Sequence, residues 1–195
     1  MKVRAIPHSQ NVVVEMGPRD ASFPPAALPE LRLKTILVPI DFSEASRKAM
    51  AYADSFGKQF NSELLLFHAA PIIYPVIAAA APIYSVPEYD ETLVLEEATK
   101  QLSKWQHDLS PNLSSKVMAR QGASAYAQIV SFASEQNVDL IVIGTHGRSG
   151  AARWLIGSTA EKVVRHAPCP VLVVREREHD FVGGPERKNE SVTAE

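Results

Sequence analysis

Five short apolar runs, at 35–40, 63–68, 115–121, 139–143 and 170–174, alternate along this chain with stretches whose apolar residues recur every three or four positions. No other feature narrows the fold as much. A run that is apolar at successive positions suits a strand covered on both faces, as in a parallel sheet, and parallel neighbours need a long crossover that is usually a helix. The stripes between the runs supply those helices: Ala45, Ala49, Tyr52, Ala53, Phe56 and Phe60, then Val94, Ala98, Leu102, Trp105 and Leu109, then Ala125, Ile129, Phe132 and Ala133, and last Ala160, Val163, Val164 and Ala167. Ser43 and Ser124 stand where caps of the first and third helices belong, Asn61 where the first ends, and Ser110, Pro111 and Asn112 where the second is halted. Five strands alternating with four helices predict an α/β fold, a doubly wound parallel sheet with helices on both faces and right-handed crossovers.

The patterning occupies residues 34–175, and with 46% of the 195 residues apolar such a domain can bury a core. Residues 1–33 carry five prolines and one short apolar run at 12–14, which reads as an irregular N-terminal arm. Residues 176–195 hold nine charged residues, two glycines and a proline without an apolar period, which reads as a charged, solvated tail. The 71–87 segment is a proline- and alanine-rich insert with two open readings, a mobile cover over a ligand or a variable surface loop, and its apolar content predicts docking on the domain or a partner. Residues 64–87 lack Asp, Glu, Lys and Arg, yet Pro71, Pro75, Pro82 and Pro87 argue against a membrane helix. A formal charge of −2, from 20 basic and 22 acidic residues, gives no footprint for nucleic acid. One cysteine, Cys169, closes no intrachain disulfide, and MKVRAIPHSQ lacks the features of a secretory signal, so a cytoplasmic location is expected.

In an open parallel sheet, ligands bind at the carboxyl ends of the strands where the strand order reverses. Two such ends carry unusual chemistry. The fourth run leads into Gly144-Thr145-His146-Gly147-Arg148-Ser149-Gly150, and Gly157-Ser158-Thr159 opens the last helix. Glycines let backbone N–H groups approach a phosphate, a helix start presents unsatisfied donors at a positive dipole end, and the hydroxyls add more. The loop also has a plainer reading as a tight turn. Neither G-x-G-x-x-G nor G-x-x-x-x-G-K-[ST] is present.

The stretch GTHGRSGAARWLIGS is similar to the nucleotide-binding signature of the universal stress protein family, with Gly144, Gly147, Gly157 and Ser158 in register. ILVPIDFSE at 36–44, LLLFHA at 64–69 and HAPCPVLVV at 166–174 also resemble that family, so the likeness spans 34–175. The resemblance implies a five-stranded sheet of order 3-2-1-4-5, of the adenine nucleotide alpha hydrolase-like type, with ATP at the switch point. By the same resemblance, Pro39 shapes the wall and Asp41 meets the ribose. Main-chain groups at Ala69 read adenine, Gly144 and Gly147 face the ribose and α-phosphate, and Gly157, Ser158 and Thr159 hold the outer phosphates. Arg148 adds charge by its position, and Mg²⁺ would enter with the phosphates.

Alternatives stand beside these roles. Asp41 could instead cap the first helix. His68 reads as a structural histidine, His146 as a solvent-facing loop residue, Trp154 as a packing anchor and Cys169 as a small buried filler; no catalytic residue or protein metal ligand is expected. The resemblance implies a nucleotide-responsive regulator of the stress response, forming a homodimer through Val171–Val174 and signalling to a regulatory protein partner. A slow ATPase or adenylyl-transforming enzyme, and a member that binds proteins but no nucleotide, are the rival readings.

Overall fold

A computed structural model of the protein describes residues 2–5, 12–15, 31–72, 90–145, 156–176 and 182. The chain divides into two compact units, Met1–Arg32 and Leu33–Glu195. In the first unit, β1 (Lys2–Ala5) and β2 (Val12–Glu15) pair antiparallel, with Lys2 opposite Glu15 and Ala5 opposite Val12. This ladder is an addition to the irregular arm expected over 1–33. Its source is the β-branched run at 12–14, which is too short to signal a strand by period but favours the extended backbone once a partner lies beside it.

In the second unit the chain runs β3 (Thr35–Pro39), α1 (Glu44–Phe60), β4 (Glu63–Pro71), α2 (Glu91–Gln106), β5 (Ser115–Gly122), α3 (Ala125–Glu135), β6 (Leu140–Gly144), α4 (Ser158–His166) and β7 (Val171–Val174). The strands form one parallel sheet, β5-β4-β3-β6-β7, which is the order 3-2-1-4-5 counted from the strand at Thr35. Alternate side chains feed opposite cores. Ile36, Val38, Leu64, Leu66 and Val142 pack with Ala49, Tyr52, Ala53 and Leu102 from α1 and α2. Leu37, Leu65, Phe67, Ile141 and Ile143 pack with Ile129, Phe132 and Val163 from α3 and α4. Each such side chain, taken fully out of water, contributes about 1.5–3 kcal/mol, which is why runs apolar at every position occur in a sheet covered on both faces.

The helix ends show where sequence rules hold. Ser43 Oγ accepts the Ser46 N–H at 3.2 Å, and Asn61 takes the left-handed conformation at φ 53° that closes α1. Asp90 caps α2 by accepting the Thr92 N–H at 2.9 Å. That helix stops at Gln106, short of Leu109, and the Asp54 carboxylate then takes the Ser110 N–H and hydroxyl at 2.7 and 2.8 Å, anchoring the turn. Ser124 stands at the N-cap of α3, as expected, but its side chain makes no capping bond. Val164 is also corrected: it is 49% exposed, whereas Val163 is fully buried, because α4 presents only a narrow stripe to the sheet. β4 runs three residues past the expected His68, since its ladder with β5 continues to Pro71 opposite Gly122.

Asp139 joins the amino ends of β3 and β6. Its carboxylate accepts the N–H groups of Lys34 and Thr35 at 2.7 and 2.9 Å, and its own N–H donates to Thr35 O at 3.0 Å. Val182, within the stretch expected to be a solvated tail, is half-buried against the α1–α2 core. Among the described residues no helix is long and apolar enough to cross a membrane; residues 73–87 of the 64–87 segment lie outside the described residues.

Val163→Ala is expected to cost about 2 kcal/mol through the lost buried methyls and the void they leave, and Val164→Ala less than about 0.5 kcal/mol. Urea unfolding of both variants checks this, the first lowering the midpoint at unchanged slope and the second leaving it in place.

Candidate functional site: a cleft where β3 and β6 part

β3 and β6 are in register only at Ile36 opposite Leu140 and Leu37 opposite Ile141, whereas β4 and β5 pair over eight positions. Beyond Leu37 the two central strands diverge, and a cleft of about 190 Å³ opens between their carboxyl ends. Its walls are Pro39 at the end of β3 with Ile40 and Asp41 after it, Phe67, His68 and Ala69 in β4, and Ile143, Gly144 and Thr145 at the end of β6. Gly157, Ser158, Thr159 and Ala160 enter from α4, Ser46 from α1, and Ala125 and Ile129 from α3. Seven of the residues expected from the sequence thus share one cleft: Pro39, Asp41, Ala69, Gly144, Gly157, Ser158 and Thr159. Gly147 and Arg148 lie outside the described residues, as do His146, Trp154 and 73–87 of the insert.

The β3 side is held tightly. Ile40 donates its N–H to Phe67 O at 2.8 Å and accepts from His68 Nδ1 at 2.7 Å. Because a carbonyl only accepts, this bond places the proton of His68 on Nδ1, and the structural role expected for that residue holds. Asp41 Oδ1 takes the Ser43 N–H at 3.0 Å and the Ser43 hydroxyl at 2.5 Å. The cap of α1 is Ser43, so Asp41 serves that helix by holding its cap residue rather than by capping it, and Asp41 also lines the cleft. Phe42, between them, has φ 65°, a left-handed conformation that costs a bulky residue of order 1–3 kcal/mol and persists only where its surroundings impose it.

The β6 side depends on close approach and on a staple. A Cβ on Gly144 would lie 2.7 Å from the main-chain carbon of Ala45, so α1 packs here against bare backbone. Thr145 is buried, donates its N–H to Val174 O at 2.9 Å and accepts the Gly157 N–H at 2.7 Å. That last bond joins the two ends of the intervening loop. It also occupies the amide of Gly157, so this glycine contributes conformation and a carbonyl rather than a donor. The first bond along α4 is Glu161 N–H to Gly157 O at 3.0 Å, and among the described residues no side chain caps the helix. Ser158, Thr159 and Ala160, whose amides stand at the positive end of the helix dipole, line the cleft.

Other candidates fall away from the cleft. Cys169 is half-buried against the α3–α4 core; burial, with the Asp139 charge added, pushes its thiol above the ordinary value, against a smaller opposing bond from the Ile141 backbone. It is a neutral thiol near pH 7, unsuited to nucleophilic work. No group of three or more His, Cys, Asp or Glu among the described residues could hold a metal ion. Sequence reasoning did not single out Ser46 or Thr145, whose burial is a property of packing with no local signal.

A cleft at the switch point, with a helix start on one wall and an acidic residue on another, belongs to a doubly wound α/β domain, the class of fold in which ligands bind at that place. A sequence model of the universal stress protein family matches residues 32–175, and the chain belongs to that family. The chain is similar to universal stress protein MJ0531 of Methanocaldococcus jannaschii, 32% identical over 73% of this chain and 82% of that one, and to YxiE of Bacillus subtilis, 30% identical over 72% and 97%. Among solved structures, M. jannaschii MJ0577 superposes with a TM-score of 0.62 at 28% identity, covering 77% of this chain and all of that one. UspA of Lactobacillus plantarum does so at 0.57 and 27%, over 75% of this chain and all of its own.

Gly144→Ala is expected to destabilise the domain by about 1–3 kcal/mol, since the obstructing atoms are main chain and cannot rotate away; denaturant unfolding measures it. Iodoacetamide at pH 8 should modify Cys169 several-fold more slowly in the folded protein than in urea, because the folded thiol keeps its proton to higher pH. Equal rates would contradict the assigned environment.

Proposed function

We propose that the protein is an ATP-binding universal stress protein, a cytoplasmic nucleotide-responsive regulator acting in the stress response. The observation that supports this most directly is the meeting of Asp41 and the open start of α4 in one cleft. The two ends of ATP differ in chemistry, and so do the two sides of the cleft. The triphosphate suits the amides of Ser158, Thr159 and Ala160 and the hydroxyls of Ser158 and Thr159, with Mg²⁺ entering on the phosphates. The ribose hydroxyls suit the Asp41 carboxylate, and adenine the main chain at Ala69 beside Pro39. Gly144, Gly147 and Arg148 complete the cradle in this reading. ATP acts by population shift: it favours whichever arrangement of the site it binds more tightly and so changes the surface shown to a protein partner.

The edges of the sheet support a homodimer through β7. On β5, the other edge strand, Lys116 and Arg120 stand paired with Glu63 and Glu135 at 3.0 and 2.6 Å, the kind of charge that discourages further pairing. Val171–Val174 carries no charge.

Small molecules released by denaturing freshly purified protein should include ATP by mass spectrometry, and stripped protein should bind ATP more tightly than GTP. Gly157 has φ −58°, which valine tolerates, so Gly157→Val should fold and yet weaken ATP more than tenfold by crowding the helix start. No nucleotide in the purified protein and no binding at millimolar ATP would overturn the proposal.

A further inference from the structure

Asp41 is fixed from both sides, and the residue that does so from the third direction is Phe42. Ile40 is bonded at both its N–H and its carbonyl, to Phe67 and His68, and Ser43 donates twice to the Asp41 carboxylate. Between these fixed points the chain turns through a left-handed phenylalanine, at φ 65°. Left-handed backbone is readily available to glycine but not to a residue with a Cβ and a ring. Something outside residue 42 must hold it. The ring of Phe42 lies 4.8 Å from that of His68 and 5.6 Å, edge-on, from that of Trp105, and it packs on the α1–α2 core. Trp105 is itself covered by the Arg47 guanidinium at 4.2 Å, and Arg47 is paired with Asp108 at 3.0 Å. The clamp therefore draws on β4, α1 and the end of α2. Phe42 belongs to the core beneath while Asp41, one residue earlier, belongs to the cleft above.

We infer that Phe42 is the positioning residue for Asp41: its ring, clamped between His68 and Trp105, keeps residue 42 left-handed and so keeps the Asp41 carboxylate in the cleft wall, where it selects a ligand bearing ribose hydroxyls. This rests on the nucleotide reading and adds to it the origin of sugar selectivity. Phe42 touches no ligand; it acts through Asp41.

The test is the ratio of affinities for ATP and for 2′,3′-dideoxy-ATP, which lacks the hydroxyls Asp41 would accept. A ratio of about tenfold is expected for the natural protein, the size of one hydrogen bond to a charged acceptor, and about one for Asp41→Ala. Phe42→Ala removes the ring but keeps a Cβ, so residue 42 relaxes, and the ratio should fall towards one while dideoxy-ATP affinity holds within about twofold. Phe42→Gly removes the same ring but remains left-handed without it, and should keep most of the ratio. Should Phe42→Ala fail to fold, Trp105→Leu opens one side of the clamp and is expected to act in the same direction. A residue that matters only for packing would give Ala and Gly variants that behave alike, with both nucleotides weakened in proportion, and that result overturns the inference. An unchanged ratio in Phe42→Ala, with Asp41→Ala at one, overturns it alone. A natural protein that binds neither nucleotide, or both equally, removes the nucleotide or ribose reading and this inference with it.

Discussion

The parting of β3 and β6 is the constraint from which the rest of this domain follows. Connections from β3 run first to β4 and β5 on one side and return to β6 on the other, so the crossovers leave the central pair in opposite directions. Only Ile36 and Leu37 of β3 stay in register with β6, and the peptide groups beyond them must find other partners. On their outer sides the ladders run on, with Ile40 N–H bonded to Phe67 O and Thr145 N–H to Val174 O, while the Ile40 carbonyl takes His68 Nδ1 and the Thr145 carbonyl takes the Gly157 N–H. The cleft is thus the place where pairing between β3 and β6 ends and the carbonyls beyond it meet other donors.

A site made this way is costly, and the scaffold offsets the cost. Phe42 is strained, α4 begins uncapped, and Gly144 contributes no side chain to packing. Against these stand two separate cores. Ala160 and Val163 fasten α4 to the α3–α4 core, so the helix start is held in place by packing. Ala45 and Ala49 do the same for α1, whose small side chains let its start approach Gly144 closely. The order of the small residues in these two helices matters as much as their apolar character.

What could be read from the sequence and what could not divide along physical lines. Strands such as β3 and β6 and the stripes of α1 and α3 were legible because burial on a regular element imposes a period, and the period survives in the letters. The sheet order and the residues of the cleft came from resemblance, and the order is shown by the pairing. Single-residue facts were not legible. Nothing in Asp41-Phe42-Ser43 signals that the middle residue is left-handed, since that conformation is imposed by rings far away in sequence at His68 and Trp105. Val164 looked like its neighbour Val163 because a stripe broader than the real one fits the same letters. The occupied amide of Gly157 was likewise invisible, because its partner is the carbonyl of Thr145, and every residue has a carbonyl.

The place of Asp41, beside the start of α1 and in the cleft wall, bears on how a ligand would be received in the proposed reading. A carboxylate that had to leave solvent and settle into one rotamer at the moment of binding would subtract that ordering cost from the affinity. Here Ser43 already holds it with an N–H and a hydroxyl, in the service of starting α1. The contacts that start α1 therefore also fix the carboxylate of a residue in the cleft wall. The same holds across the cleft, where the bond between Thr145 and Gly157 sets the start of α4 before any anion arrives. Both walls owe their geometry to contacts that the fold needs for its own stability, and this is why a site at the end of a parallel sheet can be preorganised without a dedicated set of supporting residues.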